Sequence, residues 1–222
     1  MKIRHIPVIS ILALSLSVAY PAAVQGFDAP AAATTAAQTV PSAAKNLDQV
    51  RAMLTALQGN VSSTMASLDV LKQAARERTA LEKPYADFAA QYQLLESRME
   101  AVRQQGSAAR ASSDAFFQNW QNTIAGIVDK DLKESATERF DKAKSRYVKA
   151  LATVDASRQK VPPYVADLKD INTLLKVDLT TDSIKSLYNT FGRLDRNAES
   201  LLDAIAGVNK EIGIVLESLP KQ

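Results

Sequence analysis

Residues 182–219 read DSIKSLYNTFGRLDRNAESLLDAIAGVNKEIGIVLESL, and their spacing decides the fold. Ile184, Leu187, Phe191, Leu194, Ala198, Leu201, Ile205, Val208, Ile212, Val215 and Leu219 recur at alternating intervals of three and four. All of these positions are apolar. The average period of 3.5 aligns them along one side of an α-helix, the arrangement by which helices pack on helices. The spacing predicts one helix from Asp182 to Leu219, ended by Pro220.

The same pattern occurs upstream. Leu47, Val50, Leu54, Leu57, Val61, Thr64, Leu68, Leu71 and Ala75 form a first seam that runs through Gly59-Asn60. A second carries Tyr85, Phe88, Tyr92, Leu95, Met99, Val102, Gly106, Ala109, Ser113, Phe116, Trp120, Thr123 and Ile127. Thr79-Ala80-Leu81-Glu82 fits a capping box at its start. The third presents Leu132, Ala136, Phe140, Ala143, Tyr147, Ala150, Val154 and Val161 after a turn at Val128-Asp129-Lys130, with Asp131 as the expected cap. Pro162-Pro163 removes two amide donors and predicts a kink or short break before Tyr164, Val165, Leu168, Ile171 and Leu175 resume the stripe. Thr180 or Thr181 is the expected cap of the last helix. No segment alternates like a strand. Short turns favour antiparallel neighbours, so the expected fold is all-α, an elongated antiparallel bundle of about four long helices with coiled-coil-like seams over residues 47–219.

The N-terminus is of another kind. Lys2, Arg4 and His5 precede an apolar run from Ile6 to Tyr20, and Val24-Gln25-Gly26 offers small residues at a cleavage site. Residues 1–26 read as a secretory signal peptide cut after Gly26, with a retained N-terminal anchor as the lesser reading. Residues 27–46, FDAPAAATTAAQTVPSAAKN, lack large apolar side chains, and we expect a flexible spacer whose last alanines can join the following helix. Without residues 1–26 the chain loses two basic residues and no acidic one, which leaves a net charge of about +1 and weakens a nucleic-acid reading. There is no cysteine. Disulfides and a lipid-acceptor thiol are excluded, and a periplasmic location is expected.

His5, in the leader, is the only histidine. Histidine-centred triads, zinc sites with nitrogen or sulfur ligands and thiol chemistry therefore have no residues to work with downstream. No glycine-rich phosphate loop occurs. Asp167 with Asp170, and Glu134 with Glu138, share helix faces and read as solvated surface. Tyr85, Phe88, Tyr92, Phe116 and Trp120 are either a ligand groove or core, and seam spacing favours core. Gly106, Ala109 and Ser113 place small side chains on the second seam, where a partner backbone can approach closely. The one candidate contact surface is basic. Arg139, Lys142, Lys144, Arg146, Lys149, Arg158 and Lys160 meet only Asp141 and Asp155 within residues 139–160, an excess of five positive charges. Such a face suits either solubility or contact with anionic lipid or lipopolysaccharide.

Leu81-Glu82-Lys83-Pro84-Tyr85, Phe88, Tyr92, Phe117-Gln118-Asn119-Trp120, Arg146-Tyr147 and Leu175-Lys176-Val177-Asp178-Leu179 to Ile184-Lys185-Ser186-Leu187 resemble an uncharacterised family of exported bacterial proteins, known only as a domain of unknown function. The resemblance covers residues 47–219 and implies long coiled-coil-like helices behind an export signal. It implies no activity, ligand or catalytic residue. The chain departs from that family in lacking a glycine-rich turn before Leu81-Glu82. The expected function is thus a non-enzymatic envelope protein, without cofactor, that contacts itself or an envelope protein through helical packing. A helical membrane-active protein and a periplasmic holdase are the alternatives.

Overall fold

The structure, a computed structural model, describes residues 32–220, with side-chain surroundings from residue 41 onward. The expected leader, residues 1–26, lies outside the described residues. Among the described residues six helices follow one another: α1 (Ala32–Glu77), α2 (Glu82–Ala125), α3 (Lys130–Arg158), α4 (Val161–Val177), α5 (Thr181–Ser186) and α6 (Tyr188–Ser218). Among the described residues there is no strand.

Cross-helix contacts give the topology. Asn60 Nδ2 donates to Gln91 Oε1 (3.1 Å) and Gln105 Nε2 to Gln49 Oε1 (2.8 Å), so α1 and α2 run antiparallel. Tyr147 reaches Asp114 from α3, and Phe140 packs on Phe117, which makes α2 and α3 antiparallel. Lys149 pairs with Glu211, Ser157 with Ala204 O and Asp167 with Arg193, so α3 and α4 both run against α6. The pairing continues without offset across the α3–α4 break. The two helices act as one bent rod, and the bundle has four walls.

The seams supply the core. Every seam residue of α1 from Leu47 to Ala75, and every one of the last stretch from Ile184 to Leu219, is buried. The walls are spaced by side-chain size. Ala204 and Gly207 put small residues where α6 faces α3, and a Cβ on Gly207 would meet Thr153 Cγ2 in ordinary contact at 3.9 Å. Aromatic rings instead fill the α2–α3 interface.

Several local expectations are corrected. The spacer expected over 27–46 is helical from Ala32 onward, and Ala43 is buried in the core. Alanine is the best helix former, and α1 tolerates Pro41. The Thr79 capping box does not form. The N-cap of α2 is Leu81, and the Thr79 hydroxyl instead donates to Ala74 O, in α1. Arg78 takes a left-handed conformation (φ 55°), and the Thr79 amide also donates to Ala74 O (3.0 Å), which closes the C-terminus of α1. Arginine here does what a glycine does in other helix ends. At α3 the cap is Asp129, which accepts from the Leu132 amide (2.9 Å), and not Asp131. Thr180 caps α5 as expected.

The predicted breaks are partly redrawn. The short break expected before Tyr164 is present: residues 159–160 separate α3 from α4, two residues ahead of Pro162. Proline fits the first turn of a helix, so the pair starts α4 and does not kink it. The last helix is interrupted once, at Leu187, whose amide bonds back to Ile184 O (3.2 Å). Ser186 Oγ competes locally by donating to Ser183 O (2.7 Å).

Candidate functional site

The basic surface of residues 139–160 divides by its place on α3. Lys149, Thr153 and Ser157 face α6 through the Glu211 ion pair, the Gly207 approach and the Ala204 carbonyl. Arg146, Lys142 and Arg139 continue that line toward the start of α3 at intervals of three and four. Alongside them α6 runs out, because it ends at Ser218, about two turns past Glu211. Among the described residues none of the three has a carboxylate within ion-pair distance.

The other four are engaged or set apart. Lys144 lies on the opposite flank, its ammonium 4.7 Å from the Phe117 ring centre and 5.3 Å from that of Tyr147. Lys149 Nζ is 2.9 Å from Glu211 Oε1, and the Glu211 side chain is only 12% exposed. Arg158 Nη1 is 3.0 Å from Asp155 Oδ1. Lys160 sits at the α3–α4 break. Between Lys149 and Lys160 a shallow groove of about 430 Å³ is floored by Ala152, Ala156, Ala204 and Gly207. Among the described residues Arg139, Lys142 and Arg146 thus form the line of cations without an ion pair, and Lys160, exposed and also without one, stands apart from it at the α3–α4 break.

The aromatic set separates into two groups. Phe88 and Tyr92 stack at 6.5 Å in the first half of α2. Phe116 and Trp120 instead gather around Phe117, which touches Phe140 (6.0 Å) and Tyr147 (5.0 Å) from α3. Phe117 is off the seam and was missed by the spacing argument. A straight helix drifts from a 3.5 repeat by about 20° per heptad, so the buried stripe of α2 moves from Phe116 toward Phe117 and Ile124. Accordingly Thr123 is exposed and Ile124 buried. The Tyr147 hydroxyl donates to Asp114 Oδ1 (3.0 Å), and burial together with that carboxylate raises its pKa. Desolvation similarly raises Tyr164, whose hydroxyl is buried without a partner.

Asp167 corrects the expectation of a solvated carboxylate face. Its side chain is 5% exposed, and its oxygens accept from Arg193 Nε (2.7 Å) and Asn197 Nδ2 (2.8 Å). The hydrogen bond and charge of Asp167 raise the Arg193 pKa. Asp170, Glu134 and Glu138 are exposed as read from the sequence. Asp167 locks α4 to α6, with a donor on each of its carboxylate oxygens. Among the described residues no cluster of three or more His, Asp or Glu side chains assembles.

A family profile matches residues 40–213, from the first third of α1 to near the end of α6. The chain belongs to this family, described as Protein of unknown function (DUF2959). The DUF2959 match takes in all four walls of the bundle, and it begins inside the stretch read as spacer, where the helix of α1 is already under way. No curated protein and no solved structure matches the chain. Among the described residues no helix is long and apolar enough to cross a membrane.

Proposed function

We propose that the chain is an exported, non-enzymatic protein of the periplasm that acts through protein contacts, with itself or with an envelope protein. The observation that supports this reading is how the chemically capable side chains are used. Asp167, the buried carboxylate, is held by Arg193 and Asn197, and the Phe117 cluster is closed by Phe140, Tyr147 and Lys144. Polar and aromatic groups are spent on joining helices.

Because the seams of α1 and α6 are buried within one chain, contacts with a partner fall on outer faces. The flank of Arg139, Lys142 and Arg146 is the leading one, suited to an acidic protein surface or an anionic headgroup. A photo-crosslinking residue placed at Arg146 in cells should yield a covalent adduct with an envelope protein. Adducts from no position among 139, 142 and 146 would overturn the contact reading. Export is tested separately, by fractionation and N-terminal sequencing: a periplasmic chain beginning at Phe27 is expected, and a cytosolic chain that keeps Met1 would refute it.

A further inference from the structure

The outer edge of α3 carries a second repeat beside its buried seam. Arg139, Arg146, Thr153 and Lys160 stand at intervals of seven, and Lys142, Lys149 and Ala156 form a parallel column between them. Together they step by three and four, the period that keeps side chains on one side of a helix. Five of these seven positions are basic and none is acidic. The structure fixes where the stripe points. Lys149 pairs with Glu211 of α6, Thr153 faces Gly207, and Lys160 lines the far end of the α3–α6 groove. From Arg139 to Lys160 the stripe is about 32 Å long.

The groove supplies an apolar strip alongside. Its floor is Ala152, Ala156, Ala204 and Gly207, and the two α3 alanines are exposed. The distance between packed helices follows the size of the side chains at the contact, so an alanine and glycine floor admits a third helix close to both walls. The same floor offers no large apolar side chain to enter a bilayer. On the α6 side Asp203 and Lys210, four residues before and three after Gly207, are exposed and offset each other, so the charge of this face comes from α3. One stripe cation already shows the geometry: Lys149 Nζ meets a carboxylate of a neighbouring helix at 2.9 Å. Among the described residues Arg139, Lys142, Arg146 and Lys160 have no such partner.

We propose that the α3–α6 groove docks an acidic amphipathic helix of an envelope protein. Its apolar ridge lies on the alanine and glycine floor, and its carboxylates, at intervals of three and four, meet Arg146 at one end of the groove and Lys160 at the other. Flanking charges of this kind set partner choice and register between packed helices. The proposal rests on the reading of the chain as one that contacts an envelope protein, and it adds the groove, the helical form of the partner and the sign of its charge. An anionic headgroup would require neither the period of the stripe nor the small floor.

The test is made in cells on the full chain, with a compact diazirine side chain at position 152 or 156 and the residues joined in each adduct mapped by mass spectrometry. The expected adduct joins the groove to a helical segment of an envelope protein that carries Asp or Glu at intervals of three and four. Arg146→Glu with Lys160→Glu should lower its yield about tenfold, and Lys169→Glu with Lys176→Glu, the same change at exposed positions of α4, should leave it unchanged. Lys160→Glu alone, at an exposed residue, should lower the yield about threefold with thermal melting unaltered. Adducts at position 146 with none at 152 or 156 overturn the groove proposal and keep the contact reading. Adducts at 152 or 156 that hold phospholipid, a second copy of the chain or a segment without acidic residues overturn it too, as does a yield indifferent to the charge reversals. Adducts at none of positions 139, 142, 146, 152 and 156 overturn both.

Discussion

Arg193→Met should destabilise the bundle much more than Asp167→Leu, although the two side chains form one ion pair. The asymmetry comes from burial. The Asp167 side chain is 5% exposed and that of Arg193 is 52% exposed. Removing Asp167 lets the guanidinium return to water, and leucine fills the apolar space between α4 and α6. Removing Arg193 leaves the Asp167 carboxylate buried with one remaining donor, Asn197 Nδ2. A stranded buried carboxylate costs about 3 kcal/mol, whereas a well-packed apolar substitute for a buried pair is close to neutral. For a chain of this size, about 3 kcal/mol corresponds to a fall of roughly 6–12 °C in Tm. The double variant Asp167→Leu with Arg193→Met should recover most of that loss, which urea unfolding followed by far-ultraviolet circular dichroism would measure. Equal losses from the two single variants, or losses that add in the double variant, would refute the reasoning.

Four further outcomes follow from particular residues. Arg78→Gly should stabilise the chain by about 0.5 kcal/mol, because relief of the left-handed backbone exceeds the entropy glycine adds to the unfolded chain; a fall in the urea midpoint would contradict it. Tyr164→Phe should stabilise by about 1 kcal/mol, since the buried hydroxyl it removes has no partner. Burial raises the phenol pKa values of Tyr92, Tyr147 and Tyr164 above the unfolded value near 10. That stabilisation is fully present below about pH 10 and is lost as pH rises through the folded values, so loss of helical signal should coincide with phenolate absorbance. Phe117→Ala should cost about 3–5 kcal/mol by thermal melting, while Val128→Ala on the exposed turn should cost nothing measurable.

The fold was legible where burial repeats at fixed spacing. The seams from Leu47 to Ala75 and from Ile184 to Leu219 needed only the period, because each faces the bundle axis along its whole length. The helix ends were less legible. Several side chains near each junction can serve as cap, and tertiary packing chooses among them, as with Asp129 over Asp131 and Leu81 over Thr79. In the alanine-rich stretch from Ala32 two signals conflict: low hydrophobicity favours a spacer, while helix propensity favours the helix that forms. Asp167 reads as surface in the sequence because its burial depends on Arg193 and Asn197, which lie on another helix and leave no mark in local sequence. The same limit applies to the basic face. Composition shows seven cations, but only the fold shows that Lys149 and Arg158 are paired, that Lys144 lies over aromatic rings, and that Arg139, Lys142 and Arg146 line up beside the end of α6.

The central claim is that the seams satisfy one another within a single chain, so that any partner must use an outer face. The most direct test is the solution mass and shape of residues 27–222, by light scattering with small-angle X-ray scattering. The account predicts the mass of one chain and a rod about 70 Å long, the length of α1. An obligate dimer that separates when Leu201 or Ile205 on the α6 seam is changed to a charged residue would contradict it.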